Sequence, residues 1–314
     1  MNDVFVGIDL GGTRVKLGLI KNDVLMEKKI IPAQSHQLLA ASLPVIKSQI
    51  NDLLQSNNID KQEFKGIGFG FPGLVSPQSN IILSTNAKYD DALSIQLDDW
   101  VKENWNVDFF LENDVRLAAV AEWKLGAAKD TNDLVVMTLG TGVGTSVITS
   151  GKLLRGKHFQ AGCLGGHISV VYNGRMCNCG NRGCVEAYAS TWALKERVEQ
   201  HHAFYQSSLS TVPVIDFETL FIEAENRDAL AIEFKNDCIG LWSAAIVNLI
   251  HAYDPEVVVI GGGVMQRHEE LIPLIKEKVY QHAWTPWGKV DIRPSQLLSD
   301  AGIYGAVYCL QHKI

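Results

Sequence analysis

No stretch of this 314-residue chain comes near the roughly 18 consecutive apolar residues of a membrane-spanning helix. Basic residues are not in excess either: 28 lysines and arginines stand against 35 acids, a formal charge of −7. That leaves no electrostatic footprint for nucleic acid or an anionic membrane. The opening MNDVFVGIDL has an early acid and strand-like alternation, unlike the basic start and apolar core of a secretory leader. A G-x-x-x-x-G-K-[ST] motif is missing, which excludes a P-loop protein. There is no low-complexity tract. Cysteine is scarce, and Cys163, Cys238 and Cys309 stand singly, as in a reducing compartment. A cytoplasmic protein is the expectation. The 46% hydrophobic and 20% charged residues are ordinary for a soluble chain, and the length allows two domains with their own cores.

The other three cysteines are clustered. Cys177, Cys179 and Cys184 fall within eight residues, in CNCGNRGC, and Gly180 and Gly183 permit tight turns between them. His167 stands ten residues upstream. Three thiolates and an imidazole are what a closed tetrahedral zinc site requires. An odd number of clustered cysteines without a secretion signal argues against a disulfide. A compact structural zinc knuckle is expected, with His167 and Glu186 on its flanks able to hydrogen-bond a ligand.

Hydrophobic periodicity places the remaining motifs. Alternation over Val4–Ile8 and Val15–Leu19, with a third run over 24–31, reads as a strand meander broken by a turn at Asp9-Leu-Gly-Gly-Thr13. Apolar residues recur at helical spacing from Ser35 to Leu54. KGIGFGF (65–71) and Asp108–Leu111 read as strands, and Asn113 or Asp114 as the cap of the helix that follows. The opening pattern then returns: a strand over 134–139, a turn over Gly140–Thr145, and a strand over 146–149. Further on, a helix over 228–253, a strand over 257–260, glycines 261–263 and a helix over 266–281 are expected. The loop over 201–213 is the expected mobile stretch. Two halves that each open with a hairpin around a Gly/Thr turn suggest a duplicated α/β architecture.

Glycine turns expose backbone N–H groups and let a phosphate approach. Gly11-Gly12-Thr13 and Gly140-Thr141-Gly142 suit that role, although either turn alone is equally served by shaping a tight hairpin. The first turn leads into a strand rather than a helix, which excludes a Rossmann dinucleotide site. Gly261, Gly262 and Gly263 would admit a flat base or ribose, or else simply allow a tight crossover. Asp114 sits at the carboxyl end of a strand, where it either takes the proton of an attacking hydroxyl or only caps its helix. Asn113 beside it could hold a neighbouring hydroxyl. Asp9 either stabilises its turn or helps place Mg2+ with its waters.

Together these segments resemble the ROK family (repressors, open reading frames and sugar kinases), within the actin/hexokinase-like fold. DLGGTRVKLGLI is similar to the family's first phosphate motif and LGTGVGTSVI with GKLLRG to its second. GIGFGFPGLV resembles the sugar loop, ENDVRLAAVAEW the segment of the catalytic base, IGGGV the adenosine motif and DAGIYGAV the closing helix. CNCGNRGCVEAY matches the zinc signature C-x-C-G-x-x-G-C-x-E at every specified position.

The resemblance implies a two-domain, ribonuclease H-like duplicated α/β fold with a zinc knuckle. The small domain would span 1–116 plus about 302–314, and the larger one 117–301. It implies ATP- and Mg2+-dependent phosphorylation of a hexose or hexose derivative at the 6-OH, with Asp114 as base. His167, Cys177, Cys179 and Cys184 would bind structural Zn2+. Gly73, Asn113, Asp114, His167 and Glu186 would face the sugar in an interdomain cleft. Asp9, Gly11, Gly12, Thr13, Gly140, Thr141, Gly142 and the three glycines 261–263 would serve the nucleotide. A homodimer is implied, and so is the absence of the DNA-binding domain that precedes the core in family repressors, since the first strand begins by Val4. A non-catalytic sugar-sensing protein is the alternative. One departure stands out: family kinases read G-E-x-G-H before the zinc, whereas Gly162-Cys163-Leu164-Gly165-Gly166-His167 has no Glu and is one residue longer. The hydrogen bond so lost is of the kind worth about 1.5–3 kcal/mol, so the sugar pocket is altered.

Overall fold

The computed structural model describes residues 3–85 and 88–314. The chain forms two units, and each is built on a five-stranded sheet.

In the first unit β1 (Val4–Leu10), β2 (Arg14–Lys21) and β3 (Val24–Pro32) form the antiparallel meander. Val4, Val6, Ile8 and Leu10 are wholly buried, as the alternation requires. Helix α1 (Leu39–Ser56) buries Leu39, Leu43, Ile46, Ile50 and Leu53 on one face and leads to β4 (Phe64–Phe71), parallel to β1. The helix begins four residues later than expected because residues 35–38 lead into it as a turn. Its first turn has no cap of its own. Instead the distant Asp91 carboxylate accepts the N–H groups of Leu39 (2.5 Å) and Ala40 (3.0 Å). A ribbon of β5 (Leu74–Ser76) and β6 (Ile81–Ser84), then α2 (Leu97–Asn104), precede β7 (Asp108–Asn113). β7 runs parallel to β4, which gives the order β3-β2-β1-β4-β7. Helix α3 (Asp114–Lys124) follows directly.

The second unit repeats this order. β8 (Leu134–Leu139), β9 (Val143–Thr149) and β10 (Lys152–Leu153) form a meander. Helices α4 (Glu186–Ala189), α5 (Thr191–Glu199), α6 (Phe217–Glu225) and α7 (Ala229–Tyr253) lead to β11 (Val257–Gly261). Helix α8 (His268–His282) leads to β12 (Asp291–Pro294), and the sheet reads β10-β9-β8-β11-β12. Phe217, Phe221 and Trp242 fill its core. Two expectations are corrected here. The turn at 140–145 shrinks to Gly140–Gly142, because Leu139 already pairs with Val143 and Thr145 lies within β9. A 3-10 turn over Gly263–Arg267 precedes α8, so the helix starts at His268 rather than 266. The loop over 201–213 contains short 3-10 turns at Phe204–Gln206 and Ser208–Ser210.

The chain ends in the first unit as α9 (Ala301–His312). A Cβ at Gly7, Gly68 or Gly305 would strike the backbone of Ile303, Ala306 or Leu117, so these glycines let α9 seat directly on β1, β4 and α3. That packing explains the unit boundary. The expected break at 116/117 cuts α3, whereas the first unit continues to Lys129 and takes in Arg155–Ala161 and Leu297–Ile314. The segment 155–161 is held by a buried charge cluster. Glu112, fully buried, accepts from Arg155 Nε at 2.7 Å, and the fully buried Arg116 lies 3.5 Å from it. Arg116 Nη2 donates to the Phe159 and Ala161 carbonyls at 3.0 Å each. Among the described residues no helix is long and apolar enough to cross a membrane.

Candidate active site and metal centre

In the first unit the register places the chemistry at the carboxyl ends of three adjacent strands. Asp9 of β1 is opposite Gly70 of β4, and Phe71 of β4 is opposite Asn113 of β7. Asp9 and Asp114 therefore flank β4, about two strand spacings or roughly 10 Å apart along the sheet. Asn113 caps α3, its Oδ1 accepting from Arg116 N at 3.1 Å, while its Nδ2 donates to Asp114 Oδ1 (3.0 Å) and to the Gly73 carbonyl (3.1 Å). Three sugar-facing candidates, Gly73, Asn113 and Asp114, are thus brought together. Asp114 does not cap the helix: its Oδ1 accepts the N–H of Val115 at 2.9 Å.

Burial pushes the Asp114 carboxyl up from its ordinary value of 3.8 to about 7, and the nearby charge of Asp9 adds to the rise. Lys88 and the Val115 amide act in the opposite direction. A carboxylate that exchanges its proton near neutrality is suited to general-base work. Asp9 is held by Lys16 at 3.0 Å, and Gly302 at the start of α9 leaves no room for a Cβ beside its carboxyl carbon. The turn beyond Asp9 is closed by Gly11 N donating to Arg14 O at 3.0 Å, with Thr13 exposed.

The second unit gathers its own candidates. Gly140 N donates to Gly142 O at 3.0 Å, and Thr191 donates to Gly140 O through both its amide (3.0 Å) and its hydroxyl (2.9 Å). Thr141 is exposed at the tip. The Glu186 carboxylate, nearly buried, accepts from Val143 N at 2.9 Å, and a Cβ at Gly142 would lie 2.7 Å from it. Glu186 is therefore joined to the second glycine turn, a link its position beside the cysteines did not reveal. Gly262 has φ +92°, and a Cβ there would strike the Leu139 backbone. The glycine is thus required by close approach to the end of β8. Gly263 faces open space.

The cysteine cluster forms as expected. The donor atoms of His167, Cys177, Cys179 and Cys184 all lie within 4.8 Å of one another. Cys177 Sγ is 3.6 Å from His167 Nδ1, and the Cys179 and Cys184 sulfurs are 3.7 Å apart. Ligands on a tetrahedron with zinc–sulfur bonds of about 2.3 Å are separated by about 3.8 Å, so the donor set fits. Burial raises the Cys177 thiol to about 12 and raises Cys184 too, with the neighbouring sulfurs contributing. A bound cation would relieve this. The added glycine is accommodated by close packing: Gly165 N donates to Thr145 Oγ1 at 2.8 Å, and Gly165 and Gly166 lie flat on β9 where any Cβ would collide.

Lys16, Lys88 and the Glu112–Arg116–Arg155 cluster were not foreseen from the sequence. Lys16, Glu112, Arg116 and Arg155 lie inside the motif segments without being singled out by them, and Lys88 lies outside them all.

Two like-ordered sheets, a glycine turn after the first strand of each, and an acid at the carboxyl end of β7 define an actin/hexokinase-like protein. The ROK family model matches residues 5–313, and the chain belongs to that family. It is 31% identical to the glucokinase of Thermotoga maritima, over 98% of each chain. It is 27% identical to a xylose repressor of Bacillus spizizenii, over 96% of this chain and 75% of that one. The crystal structure of a ROK family glucokinase from Streptomyces griseus, in complex with glucose and AMPPNP, superposes with a TM-score of 0.80 at 25% identity, covering 98% of this chain and 99% of that one.

Proposed function

We propose that this protein is an ATP-dependent sugar kinase that transfers the γ-phosphoryl of ATP to a hexose or hexose derivative, at the 6-OH. The observation that carries the reading is Asp114: a carboxyl at the end of β7, held by Asn113 and raised to about 7, in the same sheet as the Gly11-Gly12-Thr13 turn. The relatives named as glucokinases support it.

In the reaction the sugar hydroxyl oxygen bonds to the γ-phosphorus as the bond from that phosphorus to the bridging oxygen breaks. ADP leaves with the electron pair, and the hydroxyl proton passes to Asp114. Asn113 orients Asp114 and supplies a donor to a neighbouring hydroxyl. The two glycine turns offer backbone N–H groups to the phosphates, and Asp9 would hold Mg2+ through its waters. Gly261, Gly262 and Gly263 serve the nucleoside end. His167, Cys177, Cys179 and Cys184 would hold a structural zinc ion, fixing His167 and Glu186, which contribute to sugar recognition. With Cys163 and Leu164 where family kinases carry Glu, sugar preference differs from that of an ordinary glucokinase.

The test is ADP release from Mg-ATP across hexoses, aminosugars and N-acetylated sugars. Turnover with one class is expected. No turnover, together with sugar binding by calorimetry, would instead identify a non-catalytic sugar-binding protein.

A further inference from the structure

Beside the first glycine turn lies a cation that no motif accounts for. A Cβ built on Gly12 would sit 3.2 Å from Lys88 Nζ and 3.3 Å from its Cε, so the ammonium lies directly over the turn. Among the described residues Lys88 Nζ makes no ion pair, whereas the neighbouring Lys16 is committed to Asp9 at 3.0 Å. Lys88 is half-buried and its charge is felt by Asp114, and an ammonium so placed gains from an anion that a ligand brings to the turn.

Its position is built. Lys88 N donates to Thr85 O at 3.1 Å, and Tyr89 N donates to Ser35 O at 3.0 Å. Ser35 Oγ in turn donates to the Gly12 carbonyl at 2.6 Å, tying Tyr89 to the turn itself. Tyr89 is 1% exposed, has φ +55° and packs on Phe71 at 6.3 Å between ring centroids. A non-glycine residue in that conformation persists only where its surroundings hold it, a condition that concentrates at functional sites. Two residues on, the Asp91 carboxylate holds the start of α1.

We infer that Lys88 is a catalytic residue of the phosphoryl transfer, contacting the γ-phosphoryl group over Gly12 and neutralising the charge it carries in the transition state. The inference rests on the kinase reading. Lys88 makes no bond and exchanges no proton in the step: the sugar oxygen bonds to the γ-phosphorus as ADP departs, and the proton goes to Asp114. The lysine supplies fixed positive charge at the turn, where a positioned donor is worth about 10²-fold in rate. Because Lys88 also lowers the Asp114 pKa, it must be separated from a residue that merely keeps the base ionised.

The experiment compares wild type, K88M and K88R in calorimetric binding of AMPPNP and of ADP, with kcat measured from about pH 6 to pH 9. In K88M, AMPPNP is expected to bind about tenfold or more weakly while ADP binds as in wild type. Its kcat is expected to fall about 10²-fold at every pH, with partial recovery in K88R. Equal or absent changes for the two nucleotides would overturn the inference. So would a K88M rate that regains the wild-type level at high pH, since that marks an effect exerted only through Asp114. Wild-type turnover on the sugar panel reads the kinase assignment separately, so the two failures are distinguishable.

Discussion

The two glycine turns occupy equivalent places in two sheets of the same order, yet their surroundings differ in kind. Asp9, Lys16, Lys88 and Asp114 gather around the first, a set of ionisable groups in which burial and the charge of Asp9 raise one carboxyl to about 7. The second is held by neutral donors and a single carboxylate: Thr191 on Gly140, and Glu186 on Val143. Duplication of a backbone therefore does not duplicate its chemistry. On the proposed function, the first turn is the one that would move a proton and face a developing charge. The second is a braced turn whose carboxylate holds the first amide of β9 and lies two residues after Cys184.

The largest expected effect concerns the cysteine cluster of the second unit and the zinc proposed for it. Cys179→Ser, or chelation of the wild type, should abolish stoichiometric zinc in elemental analysis. It should also lower thermal stability more than substitution of Asp114 or Glu186 does, because metal binding to such a cluster is folding free energy. An equally stable, metal-free wild type would remove zinc from the description.

Next is the first turn's base. Asp114→Asn should lower kcat about 10³-fold, or about 4 kcal/mol in the barrier, read as ADP release with the best sugar of the panel. The same variant sharpens the comparison through stability. The folded-state pKa of Asp114 is raised, so the folded protein binds this proton more tightly than the unfolded chain does. The native state is thus penalised as pH rises from about 3.8 through about 7, and the full penalty persists above. Asp114→Asn should raise Tm at pH 8 by several degrees, since each pH unit between 3.8 and about 7 is worth about 1.4 kcal/mol. At pH 4 it should leave Tm nearly unchanged. A destabilised variant at pH 8 would mean the carboxylate is favourably placed when ionised.

Glu186→Ala is expected to be milder. It strips Val143 N of its acceptor, a loss of about 1–3 kcal/mol of stability for a buried amide, and should raise the KM for both the sugar and ATP more than it lowers kcat. A rise in the sugar KM with the ATP KM unchanged would detach Glu186 from the turn.

Much of this was legible beforehand because its cause is local. Alternation marked β1 and β2, the LVVMTL run matched β8 residue for residue, and the CNCGNRGC spacing foretold a cluster that needs only short turns to close. Asn113 and Asp114 were ambiguous as caps, and the ambiguity resolved only when Asn113 took Arg116 N. Lys88 was illegible for the opposite reason. Its meaning depends on Gly12, far earlier in the chain, and on the chain of bonds through Ser35. Glu112 was read only as the end of a strand, because Arg155, its closest partner, lies beyond the next sheet strand pair. The unit boundary was misplaced for the same reason: α3 belongs with α9, and nothing local to either helix says so.

The most direct test is ADP release from Mg-ATP and the preferred sugar by wild type and Asp114→Asn, followed from acid to alkaline pH. The expected result is a wild-type rate that climbs with pH through about 7 and levels off, and a variant about 10³-fold slower at every pH without that climb. A variant that phosphorylates the sugar at the wild-type rate would contradict Asp114 as the base around which the first turn is arranged.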